Sequence, residues 1–262
     1  MLVFHPFWIM AVPPLSYVQT FKDTKTHLNV DSGTVQHWCP ITHEETGAFE
    51  LGVCRFAPGS TGRIHPETDK YESGWDFVLM PSTGSLRIDA EGETQVLKQY
   101  DFAYLPDGND HRIRNEGREE SWAVWAAVPA KDTTDGPSTM EYIDTFEDIE
   151  EGTGADPEDI KRYWIPIAAK TIGVPNLEMG LIFRPVGTEV PYHQHDPLET
   201  KEAFVSLEGT MGVKGPERYY ELNEYDAMYV PPSGRHSNRN IAQRELRYVF
   251  IETPAEPELN FI

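Results

Sequence analysis

Alternation of apolar and polar positions is the strongest local pattern in the chain. Leu177, Met179, Leu181 and Phe183 are interleaved with Glu178, Gly180, Ile182 and Arg184, and a period of two predicts a strand that buries one face. The runs at 77–80, 203–207, 227–230 and 248–251 are short and rich in β-branched or aromatic residues, with turns of Gly, Pro, Asp and Asn between them. Strands this short and this regularly spaced predict an all-β protein made of barrels or jelly rolls. A short helix is expected within residues 157–169.

The pattern occurs twice. Residues 55–65 (RFAPGSTGRIH) and 181–193 (LIFRPVGTEVPYH) each carry Phe, Pro and Gly in that order, then five residues and a His. Gly59 and Gly187, like His65 and His193, are offset by 128; Gly84 and Gly209, His111 and His236, and Asn115 and Asn240 are offset by 125. One length difference of three residues between His65 and Gly84 accounts for the change. Five landmarks at two offsets point to a duplicated unit of about 125 residues. The expected organisation is an N-terminal arm (1–45), a first barrel (46–140), a linker (141–165) and a second barrel (166–262). Residues 144–159 hold eight acids together with Gly152 and Gly154, which predicts a solvated, mobile connection.

Charge removes whole classes of partner. The chain has 43 acidic and 22 basic residues, a net charge of -21. A surface that neutralises phosphates needs clustered Lys and Arg, so nucleic acid is excluded, and an anionic membrane would repel the protein. No run approaches the 18 apolar residues of a membrane span. Cys39 and Cys54 are the only cysteines; with no CxxC they predict buried small side chains rather than a disulfide framework or zinc cluster. A cytoplasmic protein is expected. The acid excess spread along the chain suits a salt-loving source, where self-repulsion is screened.

Chemistry is concentrated in the second copy. His193 and His195 are two apart, so both rings project from one face of a strand. Glu202 lies seven positions before Gly209, and His236 follows a Pro-Ser-Gly turn. Three imidazole nitrogens and one carboxylate suit Fe, Mn, Ni, Cu, Co or Zn and leave positions open for substrate. Pro191, Phe204 and Ser206 share faces with these residues and are candidates for lining a cavity. Tyr192 and Gln194 should face away, and Asn238 and Asn240 are expected as turn or supporting groups. No Ser-His-Asp arrangement or phosphate loop is evident.

These residues resemble the two characteristic motifs of the cupin superfamily, and the chain is similar to a bicupin. The first cupin motif reads Gly, five residues, His-x-His, three or four residues, Glu, six residues, Gly. Here Gly187, His193, His195, Glu202 and Gly209 follow it except for a six-residue spacer before Glu202. Glu199 meets the shorter spacer and is the competing ligand. The second motif appears as Pro232, Gly234, His236 and Asn240, one residue short before His236. In the first copy the second motif is intact at Pro106, Gly108, His111 and Asn115, but Glu67 stands where the second histidine belongs and Phe77 matches Glu202. His65, Glu67, Asp76 and His111 could hold a hard ion; the alternative is a purely structural first barrel.

The resemblance implies two tandem cupin jelly-roll barrels with a divalent transition metal held in the C-terminal one by His193, His195, Glu202 and His236. Similar proteins include quercetinase-type dioxygenases, oxalate decarboxylases, sugar isomerases and (S)-ureidoglycine aminohydrolases. The expected function is a metal-dependent enzyme acting on a small oxygen-rich metabolite. Dioxygenase chemistry stands first, with Glu202 also moving a proton. A ureidoglycine aminohydrolase-type hydrolase and a noncatalytic ligand-binding bicupin are the alternatives. By analogy, a homodimer is expected.

Overall fold

The computed structural model describes residues 12–29, 34–63, 74–130, 136–154, 159–254 and 258–261. The first half runs through β1 (Ser16–Val18), α1 (Thr20–Asp23), β2 (His27–Asn29), β3 (Val35–Ile41), α2 (His43–Thr46), β4 (Glu50–Phe56), β5 (Thr61–Gly62) and β6 (Trp75–Thr83). It continues with β7 (Leu86–Ala90), β8 (Glu93–Leu97), β9 (Phe102–Leu105), β10 (His111–Arg114) and β11 (Ser121–Pro129). The second half has β12 (Glu141–Ile143), α3 (Thr145–Asp148), β13 (Gly152–Thr153), β14 (Arg162–Ile167), α4 (Ala169–Ile172), β15 (Glu178–Arg184), β16 (His193–Asp196) and β17 (Lys201–Glu208). Its last strands are β18 (Met211–Lys214), β19 (Tyr219–Leu222), β20 (Ala227–Val230), β21 (Ser237–Asn240), β22 (Leu246–Thr253) and β23 (Glu258–Phe261). The expected all-β architecture is what the chain adopts, and the four expected runs lie in β6, β17, β20 and β22.

Each half pairs a large sheet with smaller ones. The first has the seven-stranded order β12-β9-β6-β11-β4-β3-β2 against the four-stranded β5-β10-β7-β8. The second has β1-β20-β17-β22-β15-β14-β13 with the three-stranded β19-β18-β21 and the pair β16-β23. Read position by position, the two seven-stranded orders are the same, which is the structural form of the sequence repeat. The landmark asparagines show why they recur. Asn240 Nδ2 donates to the carbonyls of Arg184 and Arg244, and Asn115 Nδ2 to those of Phe56 and Glu119, all at 2.8–2.9 Å. Each thereby ties its loop to the end of a strand.

Three apolar clusters fill the molecule. One lies inside each half, around Trp125, Leu79 and Ile88 in the first and around Phe204, Met228 and Tyr248 in the second. The largest joins the outer faces of the two seven-stranded sheets and contains Leu51, Val53 and Val124 from one and Met179, Leu181 and Val249 from the other. This corrects the expectation for residues 177–184, because both faces of β15 are buried. Met179, Leu181 and Phe183 enter the shared layer, while Ile182 points into the second interior. Gly180 is required by close approach: a Cβ there would sit 2.4 Å from the Trp164 carbonyl oxygen.

The segments expected as arm and linker form ordered structure where they are described. β1 pairs with β20 of the second half, and β12 pairs with β9 of the first. Tyr17 and Tyr142, offset by 125, make equivalent bonds: Tyr17 OH donates to Asp226 at 3.0 Å and Tyr142 OH to Asp101 at 2.9 Å. The strand that precedes each copy therefore completes the sheet of the other. Aromatic rings reinforce the exchange, with Phe21 against Trp38, Trp122 and Tyr225, and Phe146 against Tyr100, Trp164 and Phe183. Glu147, Asp148, Glu150 and Glu151 are exposed, but Asp159 is buried, and the apolar positions on either side, Ile143 and Trp164, are buried in the shared layer. That burial overrides the composition signal for a mobile linker. The helix expected within 157–169 is instead β14, and α4 begins at its end. Cys54 is buried, Cys39 is partly buried, and no disulfide joins them. Among the described residues no helix is long and apolar enough to cross a membrane.

Because the two halves share one apolar layer, they should unfold together. Leu51→Ala and Leu181→Ala, both at fully buried positions, are each expected to cost about 2–5 kcal/mol. Denaturant titration followed by fluorescence should show one transition shifted in both variants; two separate transitions would show that the halves are independent.

Candidate metal centre

At one end of the second interior, four groups from three segments meet. β16 presents His193 and His195 on one face, β17 supplies Glu202, and His236 lies just before β21. The backbones of His193 and His236 exchange two hydrogen bonds of 2.9 and 3.0 Å, which brings their ring centroids to 4.4 Å. Glu202 Oε2 lies 3.2 Å from His195 Nε2 and 3.2 Å from His236 Nε2. One ligand atom each from His193, His195 and His236 fall within 4.8 Å of one another, as do those of His195, Glu202 and Glu252. All five side chains are buried.

Two features are consistent with a cation site. His193 Nδ1 lies 2.8 Å from the Pro191 carbonyl; a carbonyl only accepts, so Nδ1 carries the proton and Nε2 keeps its lone pair. The buried atoms His195 Nε2, His236 Nε2 and Glu202 Oε2 make no well-angled hydrogen bond. Buried polar atoms are ordinarily satisfied, and two imidazole nitrogens gathered on one carboxylate oxygen fit an ion that would take the place of the imidazole proton. The residues present thus suit a divalent transition metal.

Electrostatics follow from burial and mutual proximity. Burial pulls the His193 imidazole well below its ordinary value, and the charges of His236 and His195 add to this. Burial also acts to lower His195, but the carboxylates of Glu202 and Glu252 reverse it and lift the pKa to about 9. Burial would raise Glu202, yet His236 and His195 hold it well below the usual carboxylate range. Glu252 is pushed up to about 8 by burial and by the charges of Glu202 and Glu178.

No protein-family model matches the chain, and no curated protein matches it by sequence; the likeness is to solved structures. A glyoxylate-induced protein from Pseudomonas aeruginosa superimposes with a TM-score of 0.74 at 14% identity, covering 99% of this chain and 97% of that one. Oxalate decarboxylase from Lactobacillus farciminis, in complex with formate, gives 0.68 at 12% identity over 97% and 89%. Salicylate 1,2-dioxygenase from Pseudoaminobacter salicylatoxidans gives 0.60 at 12% identity over 84% and 77%. The fold is that of the cupins.

Within that cupin framework the two candidate carboxylates differ in position. Glu199 is exposed in the turn before β17, whereas Glu202 is inside with the imidazoles. Phe204 lies 6.0 Å from the His236 ring, centroid to centroid, and so lines the interior as its spacing suggested. Ser206 donates to the Gly209 carbonyl, and Asn240 closes its loop. Gln194 turns outward and accepts from Arg235.

The first cupin half lacks the acid. Phe77 occupies the place of Glu202, its ring 5.8 Å from that of His111. Asp76 does not join His111, contrary to the expectation of a shared site. Alternation turns it to the other face of β6, where it accepts from the Asp107 backbone at 2.9 Å and bonds with Tyr104. His65 and Glu67 lie outside the described residues. Among the described residues, the groups able to hold an ion are those of the second half.

Sequence reasoning missed Glu252. The available signal was its place on the interior face of β22, where Leu246, Tyr248 and Phe250 are all buried and two residues apart.

Glu202 is the chief reason His195 stays protonated. A folded pKa of about 9, above the ordinary 6.5, stabilises the metal-free protein below pH 6.5, and that contribution is lost as pH rises through about 9. In Glu202→Gln, burial should prevail and the His195 midpoint should fall by at least about one unit. Histidine proton resonances followed through a pH titration of metal-free protein check this; an unmoved midpoint would contradict the assignment.

Proposed function

We propose that His193, His195, Glu202 and His236 hold a divalent transition metal, and that the protein is a metal-dependent enzyme acting on a small oxygen-rich metabolite by dioxygenase chemistry. The observation that carries this reading is the gathering of His195 Nε2 and His236 Nε2 about Glu202 Oε2, all buried, with His193 within ligand reach of the other two imidazoles inside the second barrel. The ion would supply Lewis-acid polarisation of substrate oxygens and an open position for a second small molecule.

The chain's own residues supply the rest. The Pro191 carbonyl holds the His193 ring in one tautomer. Phe204 and Phe250 make the adjoining interior apolar, which excludes water and strengthens charge interactions. Glu202, kept ionised by two imidazoles, is placed to take a proton at its carboxylate from a substrate hydroxyl. That capacity is the reason dioxygenase chemistry is placed first. It is compatible with the small carboxylate chemistry named for the oxalate decarboxylase and the aromatic oxygenation named for the salicylate dioxygenase that share the fold.

Elemental analysis of purified protein should find about one equivalent of a transition metal in the wild type and almost none in His193→Ala. A protein without metal overturns the reading. Because an imidazole must shed its proton to bind, affinity should fall as pH is lowered below about 9, by up to about tenfold per unit; titration in buffers of different ionisation enthalpy measures the protons released. Oxygen consumption with enediol or flavonol substrates is the expected activity. Ammonia release from ureidoglycine would instead support the hydrolase alternative, and a retained metal without turnover a ligand-binding role.

A further inference from the structure

The two copies can be compared residue by residue along one row that crosses three neighbouring strands. In the second half the row reads Glu178, Glu252, Glu202, each directly opposite the next on β15, β22 and β17. In the first half the same row reads Glu50, Ala127, Phe77 on β4, β11 and β6. The outer glutamate is present in both halves, so it belongs to the fold. The other two acids are present together in the half with the imidazole cluster and absent together in the half without it. A position that takes a methyl group in one copy has no structural need for a carboxylate in the other, and burying one there is costly unless it is partnered.

The partner is His195. Its Nδ1 lies 3.5 Å from Glu252 Oε1, within ion-pair distance but without hydrogen-bond geometry, and among the described residues no other group bonds it. His193 has its tautomer fixed by the Pro191 carbonyl, but among the described residues no backbone carbonyl performs that service for His195. A ring whose Nδ1 proton is held by an acceptor offers Nε2 to an ion in a fixed direction, and such outer contacts commonly govern affinity.

We propose that Glu252 is a positioning residue of the centre: its carboxylate holds the Nδ1–H of His195, so that Nε2 is aimed where Glu202 and His236 converge. This rests on the metal reading above, and the test separates the two. Metal-free wild type, Glu252→Leu, Glu252→Gln and His193→Ala are titrated with Co(II), recording affinity by competition and the visible ligand-field spectrum. Glu252→Leu is expected to bind about 10–100-fold more weakly with an altered spectrum. Glu252→Gln, whose amide oxygen still accepts from Nδ1–H, should recover most of the affinity and the wild-type spectrum. Thermal unfolding of the metal-free forms checks that each variant is folded, with Glu252→Met replacing the leucine variant should that one fail to fold. Wild-type affinity and spectrum in Glu252→Leu, alongside loss in His193→Ala, would overturn the role of Glu252 alone. A wild type that takes up no Co(II) would overturn both.

Discussion

A seven-stranded sheet that is dry on both faces governs this molecule. Each large sheet packs one face on the other half and the other face on its own smaller sheet, so β15 is buried at every position and β17 and β22 are buried except near their ends. Charged groups on such strands must find partners inside. Arg184 is fully buried and is paired with Asp159 at 3.0 Å; Glu202 is paired with two imidazoles. The same dryness makes the imidazole cluster electrostatically consequential, because charges a few ångströms apart interact far more strongly there than in water. It also explains how neighbouring groups of one type are driven in opposite directions, His193 downward and His195 upward, by which of them lies beside a carboxylate.

The halves have kept one scaffold and diverged in what it carries. Matching strand orders, matching loop asparagines and matching tyrosine–aspartate bonds show that the frame itself demands little change. What differs is the interior row, where Ala127 and Phe77 give the first half an apolar floor and Glu252 and Glu202 give the second an acidic one. A buried acid beside imidazoles is sustainable only as part of a set. Its loss therefore tends to go with loss of the whole set, and the first half shows that outcome with Phe77 against His111.

Much of this was legible in the chain because spacing is a rigid message in β structure. Two histidines two apart share a face, and five landmarks at fixed offsets identify a duplication, whatever surrounds them. Glu202 and Glu199 compete on spacing alone, and only their places in the fold separate them, Glu202 inside on β17 and Glu199 exposed before it. Less was legible where a residue's role depends on long-range pairing. Asp76 and Phe77 are neighbours in sequence but face opposite ways. Glu252 sits near the end of β22, where an acid looks like a surface residue until the partner half is seen to cover it. Residues 144–159 read as a solvated tether because their acids outnumber the few apolar side chains that anchor them. β1 and β12 are three residues each, too short for periodicity to reveal, and their partners lie in the opposite half.

That crossing of β1 and β12 bears on where the molecule came from. If two identical single-barrel subunits traded their leading strands and were then joined tail to head, the product would have this connectivity, with each barrel finished by the segment in front of its twin. The trade also makes the present chain hard to divide. A fragment cut between the copies would carry away the strand its neighbour needs and leave a raw sheet edge behind. The protein is in this sense a covalently tethered pair, and each half serves as a permanent subunit of the other.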